Sequence, residues 1–214
     1  MIGNGLTTID NIIFDLGGVI VNLDYGLTIQ AFSMLAGYDI IQQYSQRSQA
    51  DIFSQFEVGR ITPAEFRQGL AKLLQFEADD KAIDQAWSAL ILDFPPERVE
   101  LVQQIGQRKR IFLLSNINEL HLTTSDRKFS EAMGTNIGTL ADQFERAYYS
   151  HLVGDRKPNA TMFQRVIDEN NLDPAKTLFL DDTAHHLVGA QQIGLQTIHI
   201  TPETPIESLN LLDL

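Results

Sequence analysis

Short apolar runs rich in β-branched or aromatic residues recur along the chain, separated by longer stretches with helical periodicity. Such runs are typical of buried strands, and helices are predicted between most of them, including residues 96–107, 160–170 and 184–194. Strands that alternate with helices indicate an α/β protein with a doubly wound, Rossmann-like parallel sheet. The five predicted strands are residues 11–14, 110–114, 146–149, 177–180 and 197–200.

Residues 25–94 depart from this alternation, because they contain amphipathic patterns but no convincing strand. One helix is predicted to begin after Thr62, which forms a capping-box pattern with Glu65, and another to cover residues 79–92. A helical insertion after the first strand would hang over the carboxyl edge of the sheet, either as a lid that excludes water or as an extension of the core. We therefore predict a Rossmann-like catalytic core of residues 1–24 and 95–214 and a helical cap domain of residues 25–94.

Composition excludes several classes of partner. The formal net charge of −12 and the isoelectric point near 4.7 argue against binding to nucleic acids or anionic membranes, which require basic patches. The chain has no cysteine, so disulfide and thiol chemistry are excluded. No apolar stretch is long enough to span a bilayer, and we expect a soluble, cytoplasmic protein. The oligomeric state is left open.

The residue that follows the first strand is the first candidate for chemistry. The apolar run of residues 11–14 ends in Asp15, and Gly17-Gly18 comes directly afterwards. A carboxylate at the tip of a buried strand is costly unless it is paired, bound to metal or used in a reaction. Asp15 is therefore either a turn-forming residue before two glycines or a nucleophile beside a cation.

Polar residues at the other strand ends favour the second interpretation. Ser115-Asn116 follows the second strand, Asp181-Asp182 follows the fourth, and Lys157 lies in a loop that leads into a helix. Each has a plain explanation by itself, as a cap, a turn or a solvated charge. Together they would handle phosphate: two carboxylates and phosphate oxygens suit Mg²⁺, and Lys157 would offset the repulsion between a nucleophilic carboxylate and a phosphate.

In their order along the chain, four segments resemble the motifs of the haloacid dehalogenase-like (HAD) superfamily. Within it, the chain most resembles the phosphatases with a helical cap after the first strand, including bacterial sugar-phosphate phosphatases of the glucose-1-phosphate type. The segments are Phe14-Asp15-Leu16-Gly17-Gly18-Val19-Ile20, Leu114-Ser115-Asn116, Arg156-Lys157-Pro158 and Phe179-Leu180-Asp181-Asp182.

The resemblance implies a role for each matching residue. Asp15 would form an aspartyl-phosphate, and Lys157 would bridge this nucleophile and the phosphate. Mg²⁺ would be held by Asp15, the backbone carbonyl of Gly17 and Asp182, with Asp181 beside the ligands rather than among them. The residues expected to bind the phosphate of the substrate are Ser115, Asn116 and Lys157.

Two positions depart from the family pattern. Phosphatases of this family normally carry an Asp two residues after the nucleophile as the general acid and base, and this chain has Gly17 there. Related sequences often have an Asn at the position of His186, which would tune the metal site from outside the ligand set, cap the helix or stand in as the acid. General acid–base catalysis contributes about 10²–10⁴-fold in rate, so the loss at position 17 lowers the expected efficiency.

The function that we expect is that of a Mg²⁺-dependent phosphomonoester hydrolase acting on a small phosphorylated metabolite, with a sugar phosphate as the favoured substrate. One alternative is a 2-haloacid dehalogenase, which also uses an Asp nucleophile but needs no metal, so that the Asp181-Asp182 pair argues against it. Another is a binding protein on the same fold that has lost turnover at Gly17. A phosphotransfer receiver domain fits less well, because it places its acidic pair early and has no helical insertion.

Overall fold

A five-stranded, all-parallel sheet forms the centre of the computed structural model, which describes residues 8–41 and 51–214. The order of the strands across the sheet is β3-β2-β1-β4-β5. The predicted α/β fold is confirmed, and all five predicted strands are present with ends shifted by at most one residue. They are β1 (Asn11–Phe14), β2 (Arg110–Ser115), β3 (Arg146–Tyr149), β4 (Thr177–Asp181) and β5 (Gln196–His199).

Helices cover both faces of the sheet. Successive residues of a strand point to opposite faces, so Ile12 and Phe14 of β1 enter one apolar cluster and Ile13 enters another. The core helices are α5 (Pro96–Gly106), α6 (Glu119–Met133), α7 (Ser150–Val153), α8 (Ala160–Asn170) and α9 (Ala184–Gln192).

The insertion after β1 is helical and has an apolar cluster of its own. Its described helices are α1 (Tyr25–Ala36), α2 (Asp51–Glu57), α3 (Pro63–Leu74) and α4 (Asp80–Trp87). Phe32, Phe56, Phe66 and Trp87 lie in the cluster that these helices enclose. The capping box of Thr62 and Glu65 is present at the start of α3, as the sequence predicts.

The prediction of one helix over residues 79–92 is wrong at its carboxyl end. The α-helix ends at Trp87 and a 3₁₀ turn, Ser88–Leu90, follows it. The reason is a partner distant in sequence: Ile91 forms an antiparallel bridge with Leu23. The two segments that join the insertion to the core thus pair as a short ribbon, in which Asp24 N donates to Leu90 O at 2.8 Å and Leu92 N to Asn22 O at 2.9 Å.

The predicted domain limits, 1–24 with 95–214 and 25–94, remain a prediction, and residues 1–7 and 42–50 within them lie outside the described residues. The segment after Asn116, for which the sequence leaves a loop and a helix open, is helical as α6, with the Asn118 side chain capping it by accepting from His121 N at 3.0 Å. Every helix in the described ranges is too short or too polar to cross a lipid bilayer.

Candidate active site

The carboxyl ends of the three central strands bring the predicted site residues together. Asp15 follows β1, Ser115 ends β2 and Asp181 ends β4, and β1 lies between the other two. A cavity of 430 Å³ opens at this edge. The predicted site residues that line it are Asp15, Gly17, Ser115, Asn116, Lys157, Asp182 and His186, whereas Asp181 lies beneath it with 0% of its surface exposed.

Lys157 is the centre of the buried charges. Its Nζ lies 2.7 Å from Asp15 Oδ1 and 2.6 Å from Asp181 Oδ2, and the side chain is only 1% exposed. Burial by itself would lower the pKa of the Lys157 ammonium, but the two carboxylates outweigh burial and raise the pKa. Lys157 therefore stays charged and holds Oδ1 of Asp15.

The negative charge at and around Asp15 is greater than the single ammonium of Lys157 can neutralise. The pKa of Asp15 is raised to about 7: burial is the largest cause, Lys157 opposes it, and the charges of Asp181 and Asp182 add to the rise. The carboxylate oxygens of these three residues include a set that lies mutually within 4.8 Å. Three carboxylates against one ammonium leave a site that favours a divalent cation.

The two adjacent carboxylates are not equivalent. Asp181 accepts hydrogen bonds from Lys157 Nζ and from Thr183 N at 2.7 Å. Burial would raise the pKa of Asp181, but Lys157 and His186 lower it, so this residue is ionised and fully engaged. Asp182 lines the cavity, and burial and Asp181 raise its pKa. Its charge is the less compensated of the two, as expected of a residue that meets a cation.

The backbone after Asp15 also fits a cation. Gly18 has a φ of +68°, and a Cβ there would collide with the Asp182 carboxylate, so only glycine lets these groups meet. Within the described part of the chain, no hydrogen bond reaches the carbonyl of Gly17. Asp15, the Gly17 carbonyl and Asp182 are thus oxygen groups of the type that Mg²⁺ prefers, and each carboxylate has one oxygen bonded to a neighbour, Asp15 Oδ1 to Lys157 and Asp182 Oδ1 to Thr183.

The predicted phosphate-binding pair at the end of β2 has two different environments. Ser115 is buried and lines the cavity, and its hydroxyl makes no hydrogen bond to the residues that the structure describes. Asn116 uses both ends of its amide on Lys157: Nδ2 donates to Lys157 O and Oδ1 accepts from Lys157 N, each at 2.9 Å. Ser115 is therefore free to meet a phosphate, and Asn116 also positions the lysine.

Position 17, where the expected acid–base Asp is missing, is closed by a side chain from the ribbon. A Cβ on Gly17 would lie 2.7 Å from Cδ1 of Leu23, far closer than atoms of this kind approach. The bridge between Leu23 and Ile91 sets the backbone from which this side chain extends. An apolar group thus occupies the space that an acidic side chain would need.

His186 lies on α9 with Nδ1 at 3.0 and 3.1 Å from the two oxygens of Asp181. This contact engages Nδ1 only, and His186 also lines the cavity. Its role as the replacement acid and its influence on the metal site both stay predictions. His185 is exposed and also lines the cavity.

The sequence predicts that the insertion hangs over this edge, but it does not identify the individual residues of the cavity wall. Glu57 of α2 and Arg156 form an ion pair at 2.9 Å, and the Glu57 carbonyl accepts from Ser150 Oγ at 2.6 Å. Trp87 from α4 and Ser125 from α6 line the same cavity. Glu57, Trp87 and Ser125 lie outside the four motifs, and no local pattern marks them as part of a site.

A family model for "haloacid dehalogenase-like hydrolase" matches residues 9–194. The chain is 28% identical over 189 residues to the D-ribitol-5-phosphate phosphatase of Bacteroides thetaiotaomicron, a match that covers 88% of this chain and 90% of the relative.

Two solved structures are similar in both fold and sequence. A HAD family enzyme from Bacteroides thetaiotaomicron, in complex with magnesium and inorganic phosphate, superposes with a TM-score of 0.80 at 33% identity, covering 89% of this chain and 93% of that one. A HAD-like family hydrolase from Porphyromonas gingivalis superposes with a TM-score of 0.81 at 27% identity, covering 97% and 96%.

Proposed function

The chain belongs to the haloacid dehalogenase-like hydrolase family, and within that family we propose that it is a Mg²⁺-dependent phosphomonoester hydrolase for small phosphorylated sugars or sugar alcohols. The observation that carries this proposal is the position of Asp15, held by Lys157 at 2.7 Å and grouped with Asp181 and Asp182. The similarity to a D-ribitol-5-phosphate phosphatase supports the substrate class.

Asp15 acts as the nucleophile. Because Lys157 holds Oδ1, Oδ2 is the oxygen that attacks phosphorus, in line with the departing oxygen of the substrate, and forms an aspartyl-phosphate. Water then attacks this intermediate, which releases phosphate and restores the carboxylate. Ser115, with a hydroxyl not used elsewhere in the described residues, binds a phosphoryl oxygen as charge shifts in the transition state.

Mg²⁺ would be held by Asp15, the carbonyl of Gly17 and Asp182, and it supplies Lewis acidity and charge neutralisation that bring a phosphate next to these carboxylates. Asp181, which the structure buries beneath the cavity, orients Lys157 and is not a direct ligand. His186 holds Asp181 in turn. Asn116 places the main chain of Lys157 and so fixes the distance between ammonium and nucleophile.

The proton for the leaving oxygen does not come from position 17, where glycine and Leu23 leave no acidic group. Water in the cavity or the substrate itself carries that proton. Substrates with a better leaving group, such as a sugar 1-phosphate at the anomeric carbon, depend least on it. Two substrates should therefore be compared: glucose 1-phosphate, which has the better leaving group, and a sugar-alcohol phosphate.

Phosphate release from ribitol 5-phosphate, glucose 1-phosphate and p-nitrophenyl phosphate, with Mg²⁺ and with EDTA, tests the proposal. We expect release that requires both Mg²⁺ and Asp15, with Asp15→Asn as the blank and a phosphate adduct on Asp15 in acid-quenched wild-type protein. Asp10→Asn is the matched control, because Asp10 is exposed at the opposite end of β1 and its loss leaves turnover unchanged.

Two outcomes would overturn the proposal. Metal-independent halide release from 2-chloropropionate, with no phosphate release from any ester, would make the chain a haloacid dehalogenase. Binding of phosphate esters without Asp15-dependent turnover would make it a binding protein on this fold.

A further inference from the structure

One face of α6 forms a polar wall of the active-site cavity. Asn118 caps this helix, and His121 and Ser125 follow at spacings of three and four residues, which place side chains on the same side of a helix. All three residues line the cavity that Asp15 also lines. Whatever is attached to the phosphate therefore meets this polar face.

Two of these residues use both polar atoms of the side chain on other protein groups. The Asn118 carbonyl oxygen accepts from His121 N and from Trp87 Nε1, and its Nδ2 donates one hydrogen to His121 Nδ1 at 3.1 Å. His121 Nε2 donates to the backbone carbonyl of Trp87 at 3.0 Å, and its ring stacks on the Trp87 indole at 4.7 Å. Asn118 and His121 thus join α6 to the insertion.

Ser125 is different. It is 1% exposed, and its hydroxyl makes no hydrogen bond to any residue in the ranges 8–41 and 51–214. Two of the other three hydroxyls on α6 bond back to the preceding turn: Thr123 Oγ1 donates to Glu119 O and Ser130 Oγ to Asp126 O, each at 2.9 Å. Because the Ser125 residue is almost fully buried and lines the cavity, its hydroxyl needs a partner that comes from the cavity.

Part of the cavity lining is apolar. Leu23, Leu90 and Ile91, which belong to the ribbon and the turn before it, form this part, and Lys128 of α6 holds the ribbon by donating from Nζ to Leu92 O at 2.9 Å. A carbon chain with hydroxyl groups along one edge matches a cavity with one apolar wall and one unpaired hydroxyl.

We propose that Ser125 determines specificity by exchanging a hydrogen bond with a hydroxyl group on the carbon chain of the substrate, which makes phosphate monoesters of polyhydroxylated chains the preferred class. This inference rests on the proposed function, because it assigns the non-phosphate half of the same substrate. Ser125 acts on binding and orientation, while Asp15, Lys157 and Ser115 handle the phosphate.

The test compares two esters of equal chain length, ribitol 5-phosphate and n-pentyl phosphate, by kcat/KM in the presence of Mg²⁺. We expect the wild-type protein to prefer the polyol ester, and Ser125→Ala to lower the ratio of the two kcat/KM values about tenfold, the value of one neutral hydrogen bond. Ser130→Ala is the matched control, since the Ser130 hydroxyl bonds within the helix. We expect that variant to keep the wild-type ratio.

The outcomes separate the two proposals. Asp15-dependent release from both esters with equal kcat/KM, or a ratio that Ser125→Ala leaves unchanged, overturns the role of Ser125 and leaves the phosphatase intact. An equal loss on both esters assigns Ser125 a structural role, which a lower melting temperature would accompany. Release from neither ester overturns the proposed function itself, and the assignment of Ser125 with it.

Discussion

The side-chain amide of Asn116 spans the main chain of Lys157, donating to its carbonyl and accepting from its N–H at 2.9 Å each. The end of β2 and the loop that carries the buried lysine are thereby joined as one unit. The same lysine lies 2.7 Å from Asp15, so an asparagine that we propose to bind phosphate also helps to set the distance between the Lys157 ammonium and the proposed nucleophile.

Removing this link should slow catalysis more than it weakens the fold. We expect Asn116→Ala to lower kcat about 10–100-fold, because misplacing a catalytic group by about 1 Å can cost 10²-fold. Steady-state kinetics and thermal unfolding measure the two effects. Asn159→Ala is the control, since Asn159 bonds to Asp155 in the same loop and lies outside the cavity lining. If both variants lost the same activity, Asn116 would have no special part in placing Lys157.

Restoring an acid at position 17 should work best together with a second change. In Gly17→Asp alone, the new side chain has to displace the end of the Leu23 side chain, and we expect a smaller gain in kcat than in the double variant. In Gly17→Asp with Leu23→Ala the carboxyl group has space, and we expect kcat for a poor leaving group such as an alkyl phosphate to rise at least about tenfold.

The double variant Gly17→Asn with Leu23→Ala separates acid catalysis from altered packing, because its amide cannot transfer the proton. A gain in this control equal to that of the Asp variant would mean that a wider cavity, and not a proton donor, causes the increase.

Without metal, the charge on Asp15 should weaken the fold as pH rises. Its pKa is raised from 3.8 to about 7 in the folded protein, so between these values the folded state holds a proton that the unfolded state has lost. The contribution of Asp15 to the free energy of unfolding is therefore at its full value below pH 3.8 and is lost as the pH rises through 7. The total loss is up to about 4 kcal/mol.

Urea unfolding in EDTA at pH 5 and pH 8 measures this effect against Asp15→Asn, which has no charge to release. We expect the variant to gain stability relative to the wild type between pH 5 and pH 8, and Mg²⁺ to reverse the gain by stabilising only the wild type. A difference between the two proteins that is the same at both pH values would contradict this assignment.

His121 should make the fold less stable as the pH falls, the opposite of the pH dependence expected from Asp15. Burial lowers its pKa from 6.5 to about 4, although the Trp87 carbonyl opposes this, so between these values the unfolded state binds the extra proton. The contribution of the neutral His121 ring to the free energy of unfolding is at its full value above pH 6.5 and is lost as the pH falls towards 4. Between pH 7 and pH 5 the loss is about 2 kcal/mol.

Urea unfolding at pH 7 and pH 5 tests this assignment. We expect His121→Gln to lose no stability between these pH values through this group, whereas His185→Gln, at an exposed position, should lose as much stability as the wild type. The same pH dependence in all three proteins would show that His121 does not carry the effect.

The sheet and the ends of its strands were predictable because each signal lies within a few residues. The runs that became β1 and β4 each contain three consecutive apolar residues and are buried throughout, and Asp15 and Asp181 come directly after these apolar residues. The distinction between Asp181 and Asp182 came only from family resemblance. The structure supplies a physical basis for it, in the donors that occupy Asp181.

Other features depend on contacts between distant segments. The helix α6 has only two buried residues, Ser125 and Phe129, so its apolar periodicity is too weak to separate a helix from a loop. The end of α4 depends on the pairing of Ile91 with Leu23, 68 positions away by the numbering of the two residues (91 − 23). The sequence cannot predict that the Ser125 hydroxyl lacks a protein partner, because a serine within a helix commonly bonds to the backbone of the preceding turn.

The ribbon of residues 22–24 and 90–93 brings the two ends of the insertion to a single point of attachment. A segment that leaves and returns at one place can be replaced by another of different length without moving the strands it connects. The insertion contributes Tyr25, Glu57 and Trp87 to the cavity but none of the proposed catalytic or metal-binding groups. In evolutionary terms the fold is modular: exchange of the inserted helices would change which substrates enter the cavity and leave the proposed catalytic and metal-binding residues unchanged.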